Sequence, residues 1–179
     1  MSRRPLSEYG QDAAPENRMD QQPAGLSKDR AGVIAPPPLI YLGGILLGLA
    51  LNRWWRPWPI FASGSLRWSG LVLVAAGVAL IVAGRKAMLA AETNINPFKP
   101  TIAIVTAGPF RFTRNPLYLS MTLIYFGLTV GANTWWTMVF LGPVLLLIHF
   151  GVVRREERYL ERKFGESYRE YRLRVRRYL

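Results

Sequence analysis

The sequence contains no cysteine and a single histidine, His149. Without cysteine the chain can form neither disulfides nor thiolate metal sites, and one histidine argues against a histidine-rich zinc or di-iron centre. We therefore expect no bound metal. Acidic residues are also scarce: 11 Asp and Glu stand against 23 Lys and Arg, and the formal net charge is +12. Any function has to be built from arginines, a few carboxylates and aromatic side chains.

Half of the residues are hydrophobic, and they are concentrated in blocks instead of being spaced as on amphipathic core helices. Such blocks are typical of a membrane protein. Four of them are recognisable, at about 39–55, 67–91, 117–132 and 135–153. The sequence therefore predicts an all-α, integral-membrane fold with about four transmembrane helices, arranged as two hairpins.

Three polar regions surround these blocks. Residues 1–32 lack the apolar segment of a signal peptide and are predicted to form a disordered tail. Residues 92–116 are too polar to cross a bilayer and form a connector that includes a β-prone run at 101–106. Residues 154–179 are predicted to form a C-terminal amphipathic helical tail. The first two transmembrane helices then belong to residues 33–91, and 92–179 form a core of connector, helical hairpin 117–153 and tail.

The distribution of basic residues predicts the orientation in the membrane. The N-terminal tail, the connector and the C-terminus share one side, which carries most of the Lys and Arg, so we expect this side and both termini to be cytoplasmic. The opposite loop, 53–67, carries three arginines and weakens the asymmetry without reversing it. Basic flanks around apolar blocks also indicate contact with anionic lipid in the cell membrane, whereas no nucleic-acid-binding motif accompanies the arginines.

Two polar motifs flank the second hairpin. The first is Gly-Pro-Phe-Arg-Phe-Thr-Arg-Asn-Pro-Leu-Tyr at 108–118, and the second is Arg-Arg-Glu-Glu-Arg at 154–158. No Lys, Arg, Asp or Glu lies between Arg114 and Arg154. The break Gly-Ala-Asn-Thr at 131–134 has the composition of a tight turn. The hairpin is therefore expected to bring the two motifs together at one membrane face.

Each motif has a structural and a functional interpretation. Pro116 could simply start a helix that Asn115 caps, with Tyr118 as an interfacial aromatic. Glu156 and Glu157 could form a solvated helix end among arginines. The functional interpretation is a carboxylate pair that holds a cation beside an arginine that grips a carboxylate.

Residues 108–118 and 154–171 together resemble the isoprenylcysteine carboxyl methyltransferase and phospholipid methyltransferase group. These are integral-membrane enzymes that use S-adenosylmethionine, and the similarity covers about residues 92–179. It implies transfer of a methyl group to a lipophilic acceptor: an isoprenoid, a phospholipid amine or a prenylated carboxylate. The family pattern is Arg-His-Pro-x-Tyr, and Asn115 stands at the histidine position, so we assign no general base there.

The resemblance also implies the site residues. Arg114 and Glu157 are the expected catalytic pair. Glu156 or Glu157 would accept hydrogen bonds from the cofactor's ammonium or ribose, an arginine would hold its carboxylate, and an aromatic ring would face the adenine or sulfonium. The expected cofactor-binding set is Gly108, Phe110, Arg114, Asn115, Pro116, Tyr118, Arg155, Glu156, Glu157 and Tyr168.

Two other functions are compatible with parts of the sequence. Membrane sterol-type reductases that use NADPH are similar at their C-terminal end, although their second motif differs. A non-enzymatic membrane adaptor with a basic tail would explain the charge and hydropathy but not the paired motifs. His149 has both a functional and a hydrogen-bonding interpretation, and the sequence leaves the oligomeric state open.

Overall fold

A computed structural model describes residues 31–62, 64–96 and 98–178. Most of the predicted tail, residues 1–30, lies outside the described residues, as do Ser63 of the 53–67 loop and Pro97 of the connector. Over the described residues the chain forms helices and loops without a β-strand. The expected all-α class is confirmed.

The first two helices along the chain are α1 (Pro37–Trp54) and α2 (Ser69–Ala90). Proline occupies the start of α1, where the first backbone N–H groups have no helical partner. A 3₁₀ turn at Ser65–Trp68 leads directly into α2. The apolar blocks at 39–55 and 67–91 thus correspond to helices whose ends differ from the prediction by two residues or fewer.

The next two helices are α3 (Pro116–Ala132) and α4 (Trp135–Ile148), which are joined by the predicted tight turn. Asn133 adopts the left-handed conformation there, with φ of 51°, and the Thr134 hydroxyl caps α4 by accepting from Trp136 N at 3.3 Å. The amide side chain of Asn133 also accepts hydrogen bonds from Ile60 N and Phe61 N at 3.0 and 2.8 Å. This turn therefore anchors the α1–α2 loop to the α3–α4 pair.

The end of α4 continues into a π-helical segment at His149–Val153 and then into α5 (Arg154–Phe164). The π turn changes the register between the apolar helix and the charged helix, which sets the direction in which α5 presents its side chains. Gly165 has φ of +54° and separates α5 from α6 (Glu166–Arg174), as expected for glycine at a helix end. The helical C-terminal tail is confirmed.

Close packing of α2 on α3 depends on three glycines spaced seven residues apart. Gly70, Gly77 and Gly84 are the buried residues of α2. A Cβ at Gly77 would stand 2.6 Å from Ile124 Cγ1 and 2.8 Å from the carbonyl oxygen of Ser120. Small residues permit close helix approach, and in α2 only the glycines of this row do so, because the alanines between them are exposed or half-buried.

Two helical stretches are long and apolar enough to cross a membrane: Leu66–Ala90 and Trp135–Phe164, the second of which is uncharged only as far as Val153, so that α5 lies beyond its apolar part. Only 11 % of the apolar window in the first is buried, so its leucines and valines face outward instead of forming a protein core. Pro116–Ala132 is apolar but shorter. The structure thus supports two spanning helices among the described residues, and the arrangement with four spans remains a prediction.

The connector crosses the end of the helices as irregular chain. Its β-prone run at 101–106 forms no strand. Instead, Ile102 N donates to the Thr93 hydroxyl at 3.0 Å and Thr101 N donates to the Tyr159 hydroxyl at 3.1 Å. Because these backbone groups bond to side chains, the segment has no sheet partner and serves as a cover over α5.

Candidate functional site

The first motif begins with a 3₁₀ turn at Gly108–Arg111. Gly108 has φ of +58°, a conformation that other residues rarely adopt, and a Cβ there would lie 3.4 Å from the Ala87 side chain on α2. Pro109 fixes the next residue of the turn, and Pro116 starts α3. This turn points Phe110 and Arg114 toward the space beneath α5.

The two motifs meet, as the hairpin geometry predicts. Nη1 of Arg114 lies 3.1 Å from Oε1 of Glu157, and both side chains are only 9 % exposed. The two residues are 43 positions apart in the sequence, and the uncharged hairpin α3–α4 connects them. A buried ion pair of this kind requires that both partners be present, because either charge alone would be strongly unfavourable there.

Glu157 has a second arginine partner that sequence reasoning did not identify. Nε and Nη2 of Arg177 donate to the two carboxylate oxygens of Glu157 at 3.0 and 2.7 Å. Arg177 belongs to a basic run at the C-terminus, and nothing in that run distinguishes it from its neighbour Arg176. Glu157 therefore lies between two guanidinium groups and is fully compensated.

The adjacent carboxylate, Glu156, is in a different environment. Its Oε1 accepts a hydrogen bond of 2.6 Å from the Tyr118 hydroxyl, and no cation of the described residues forms an ion pair with it. Burial raises the pKa of Glu156 from its ordinary value of 4.5 to about 7; the Tyr118 hydrogen bond opposes this shift and the charge of Glu157 adds to it. Glu156 lies in α5, beyond the apolar part of the preceding helix, and is available to a cationic ligand.

Arg114 also retains unused hydrogen-bonding capacity. Its Nε and Nη1 are buried and make no hydrogen bond within the described protein, although Nη1 is close to Glu157. Buried donors are normally satisfied, so Nε in particular is available to an acceptor from a ligand. Burial raises the pKa of the neighbouring Tyr168 to about 12, with the Arg114 guanidinium opposing the shift, and its hydroxyl therefore remains a proton donor.

Glu156 and Arg114 line the same cavity. It leaves about 130 Å³ for the centres of water-sized molecules, and its walls come from α2, the connector, α3, α5 and α6. Eight of the ten predicted cofactor residues line it: Phe110, Arg114, Asn115, Pro116, Tyr118, Glu156, Glu157 and Tyr168. Their individual roles stay predictions, but the expected grouping is present.

The other two predicted residues lie elsewhere. Gly108 contacts α2 and shapes the turn without lining the cavity. Arg155 Nη1 donates to the carbonyl oxygen of Gly32 at 2.9 Å and so binds the segment before α1. The cavity also has walls that the prediction did not include, among them Met88 of α2 and Tyr171 of α6. Helix α6 was predicted, but its contact with the first motif depends on the fold of the connector and tail.

Residues 175–178, which we call the C-terminal strap, close one side of the site. Arg114 N donates to the carbonyl oxygen of Arg176 at 2.9 Å, and Thr113 Oγ1 and Asn115 Nδ2 both donate to that of Arg177, at 3.1 and 3.0 Å. Asn115 makes no side-chain cap on α3. The residue at the family's histidine position therefore holds the strap.

His149, the single histidine of the sequence, also contacts the C-terminal strap. Nδ1 of His149 lies 2.8 Å from the Tyr178 hydroxyl, and the ring stands edge-on to Phe150. His149 does not line the cavity. Of its two interpretations, hydrogen bonding to a neighbouring element is the one that the structure favours.

Comparison of the sequence with known proteins identifies the family of the chain. The family described as phospholipid methyltransferase matches residues 66–167, more than half of the chain. A 65-residue segment, 35 % of the chain, is 42 % identical to the full length of an uncharacterized protein of Haemophilus influenzae. No solved structure matches the chain. The family match covers both motifs but ends before the C-terminal strap.

Proposed function

Because the chain belongs to the phospholipid methyltransferase family, we propose that it transfers the methyl group of S-adenosylmethionine to a lipophilic acceptor. The acceptor would approach from the bilayer at the membrane face where the two motifs meet. The observation that carries the proposal is the pairing, in one cavity, of a carboxylate without a cation and an arginine with unused donors.

This pairing is complementary to the amino-acid end of S-adenosylmethionine. Glu156 would accept from the ammonium group, and Nε of Arg114, a buried donor without a hydrogen bond in the described protein, would donate to the carboxylate. Glu157 would act indirectly, since its two arginine partners already satisfy it. The sharper division of roles between the two glutamates is our inference from their partners.

Aromatic side chains are suited to the rest of the cofactor. Phe110, Tyr118 and Tyr168 line the same cavity, and rings of this kind can stack on adenine or face a sulfonium cation. The donor set and the aromatic walls therefore fit the cofactor that the family implies. When bound, S-adenosylmethionine supplies an activated methyl group, which passes to the acceptor's lone pair as the carbon–sulfur bond breaks.

The contribution of the protein would be alignment and exclusion of water. The cavity lies at the end of the apolar helices, with the connector on one side and the C-terminal strap beside Arg114 and Glu157. An apolar acceptor held in the membrane would reach the site without crossing water. An isoprenoid, a phospholipid amine and a prenylated carboxylate all meet this description.

Isothermal titration in detergent tests the cofactor assignment. We expect S-adenosylmethionine to bind and NADPH not to bind. Arg114→Ala and Glu157→Ala should abolish binding, whereas Arg111→Ala, which removes an exposed arginine of the same turn, should leave it unchanged. Binding of NADPH instead would support a sterol-type reductase, and binding of neither would support a membrane adaptor.

The acceptor requires a separate experiment. The purified protein would be incubated with cofactor carrying a radiolabelled methyl group and with a membrane lipid extract, and the labelled product would be separated and identified. Label in a lipid fraction that depends on Arg114 supports the proposal. Cofactor binding without any labelled lipid would contradict a lipophilic acceptor while leaving the cofactor site intact.

A further inference from the structure

A second cavity lies at the opposite end of the helices from the methyltransferase site. It has a volume of about 800 Å³, within the range of about 300–1,000 Å³ typical of small-molecule sites. Its walls come from α1, α2, α3, the 3₁₀ turn before α2 and Thr137 of α4, and it shares no residue with the first cavity. Nothing in the proposed methyl transfer uses it.

The cavity exists because the helices pack as two separate pairs. Helix α2 packs along α3 and α1 packs mainly along α4, so a gap remains between α1 and α2 above the surface of α3. Three leucines in its walls, Leu49, Leu71 and Leu128, are exposed. Apolar side chains that line an open gap at membrane depth are suited to an alkyl chain.

The rim of this cavity is cationic. Arg67 lines it, and its Nε donates to the carbonyl oxygen of Gly131 at 3.3 Å, which directs the side chain across the opening. No acidic side chain of the described residues forms an ion pair with Arg67. Arg53 in the last turn of α1 and Arg56 in the loop after it add positive charge at this end of the helices without lining the cavity, and residues 31–91 contain no Asp or Glu at all.

Tryptophans place this rim at the level of lipid headgroups. All six tryptophans of the chain lie within 54–68 and 135–136. Trp55 stacks on Trp136 with ring centroids 5.8 Å apart, and Trp68 lines the cavity itself. Clustered tryptophans mark the membrane–water interface, so the guanidinium of Arg67 lies near lipid phosphates while the leucines below it lie among acyl chains.

We propose that this cavity is a binding site for one anionic phospholipid, with an acyl chain between α1 and α2 and the phosphate held by Arg67. An arginine at the rim favours a lipid with net negative charge over a zwitterionic one, because no acidic group of the described residues offsets the guanidinium. The proposal does not depend on methyl transfer, and the site is separate from the acceptor's.

Native mass spectrometry of the protein in detergent, titrated with phosphatidylglycerol or with phosphatidylcholine of the same acyl chains, tests the proposal. Wild-type protein should retain one phosphatidylglycerol in preference to phosphatidylcholine. A Cβ at Gly131 would meet open space in the cavity wall, so Gly131→Phe should obstruct part of the cavity and lower retention by about tenfold. Gly142→Phe is the matched control, because that glycine also faces open space but lies outside the cavity.

Arg67→Gln tests the headgroup contact and involves an exposed side chain that folding does not require. We expect this variant to keep binding lipid but to lose the preference for phosphatidylglycerol. Equal lipid retention in Gly131→Phe and Gly142→Phe, or an unchanged preference in Arg67→Gln, would overturn the proposal. Cofactor binding should be the same in all three variants, which separates this result from the methyltransferase assignment.

Discussion

Glu156 and Glu157 are consecutive residues of one type with opposite environments. Glu157 is held by Arg114 and Arg177, whereas Glu156 has only the Tyr118 hydroxyl as a partner among the described residues. Because neighbouring positions on a helix face directions about 100° apart, α5 turns Glu157 toward the two arginines and Glu156 toward the Tyr118 hydroxyl, although both line the cavity. The same chemical group thus stabilises the fold at one position and remains available to a ligand at the next.

The raised pKa of Glu156 predicts how cofactor affinity depends on pH. A cation binds the ionised carboxylate, so with a pKa of about 7 we expect affinity to rise roughly tenfold between about pH 6 and pH 8. Isothermal titration across this range measures it. Glu156→Gln keeps a partner for Tyr118 but removes the charge, so binding should be weaker and nearly independent of pH. An equally steep profile in this variant would show that another group titrates.

The stability of the cofactor-free protein should respond in the opposite direction. Between pH 4.5 and 7 the native state binds more protons at Glu156 than the unfolded chain does, so the free energy of unfolding falls as pH rises through this interval. Above the native pKa the loss is complete. Thermal unfolding of wild type and Glu156→Gln, compared at both ends of the interval, isolates the contribution of this group.

At the scale of elements, the C-terminal strap joins the first motif, α5 and the π-helical segment. Arg177 and Arg176 allow a matched comparison. The Arg177 side chain donates hydrogen bonds to Glu157, whereas Arg176 is exposed and only its backbone carbonyl bonds to the first motif. The Arg177 side chain is 38 % exposed, which reduces the value of its ion pair relative to a fully buried one.

We expect Arg177→Gln to lower the free energy of unfolding by about 1–2 kcal/mol. It should also weaken cofactor binding, because Glu157 is then paired with Arg114 alone and leaves Arg114 less available to the cofactor. Arg176→Gln carries the same change of charge and should alter neither property. Thermal unfolding and isothermal titration measure both effects. If the two variants behave alike, the strap acts through its backbone alone.

The α2–α3 pair depends on the absence of side chains at its glycines. Gly77→Val would place atoms against Ile124 and the Ser120 carbonyl and should reduce stability by about 1–3 kcal/mol. Ala76→Val introduces the same side chain at an exposed position and should change the free energy of unfolding little. Denaturation in detergent compares them, and equal stabilities would contradict the close packing.

On the scale of the whole molecule, the two ends of the helices differ in chemistry. One end carries the six tryptophans and the cavity that we propose for a phospholipid, and the other carries the connector, α5, α6 and the cavity that we propose for the cofactor. This polarity is what an enzyme would need if it bound a water-soluble cofactor at one membrane face. Which face that is remains a prediction from the distribution of basic residues.

The absence of native cysteine makes this orientation directly testable. Ala62 and Ser167 are exposed and lie at opposite ends of the helices, so Ala62→Cys and Ser167→Cys provide single reporters without a background. In intact cells a membrane-impermeant maleimide should label only Ala62→Cys, and Ser167→Cys should react after permeabilisation. The reverse pattern would place the termini outside the cytoplasm.

The sequence by itself determined the helices, the tight turn at 131–134 and the meeting of the two motifs. These features depend on local hydropathy, on glycine and proline, and on the lengths of apolar segments, all of which can be read along the chain. Eight of the ten residues that the resemblance implies line one cavity. Proximity along the chain to Arg114 or Glu157 accounts for seven of them, whereas Tyr168 reaches the cavity because α6 packs beside it and the nearby Arg155 points elsewhere.

Only the tertiary structure decided which carboxylate is paired. The choice of Arg177 over Arg176 as partner of Glu157, the role of Asn115 in holding the strap, and the gap between α1 and α2 all depend on contacts between segments far apart in the chain. Such contacts follow from the direction of each side chain after the π-helical turn and from how the helix pairs pack. Neither the side-chain directions nor the packing of the helices can be predicted from residue type and spacing alone.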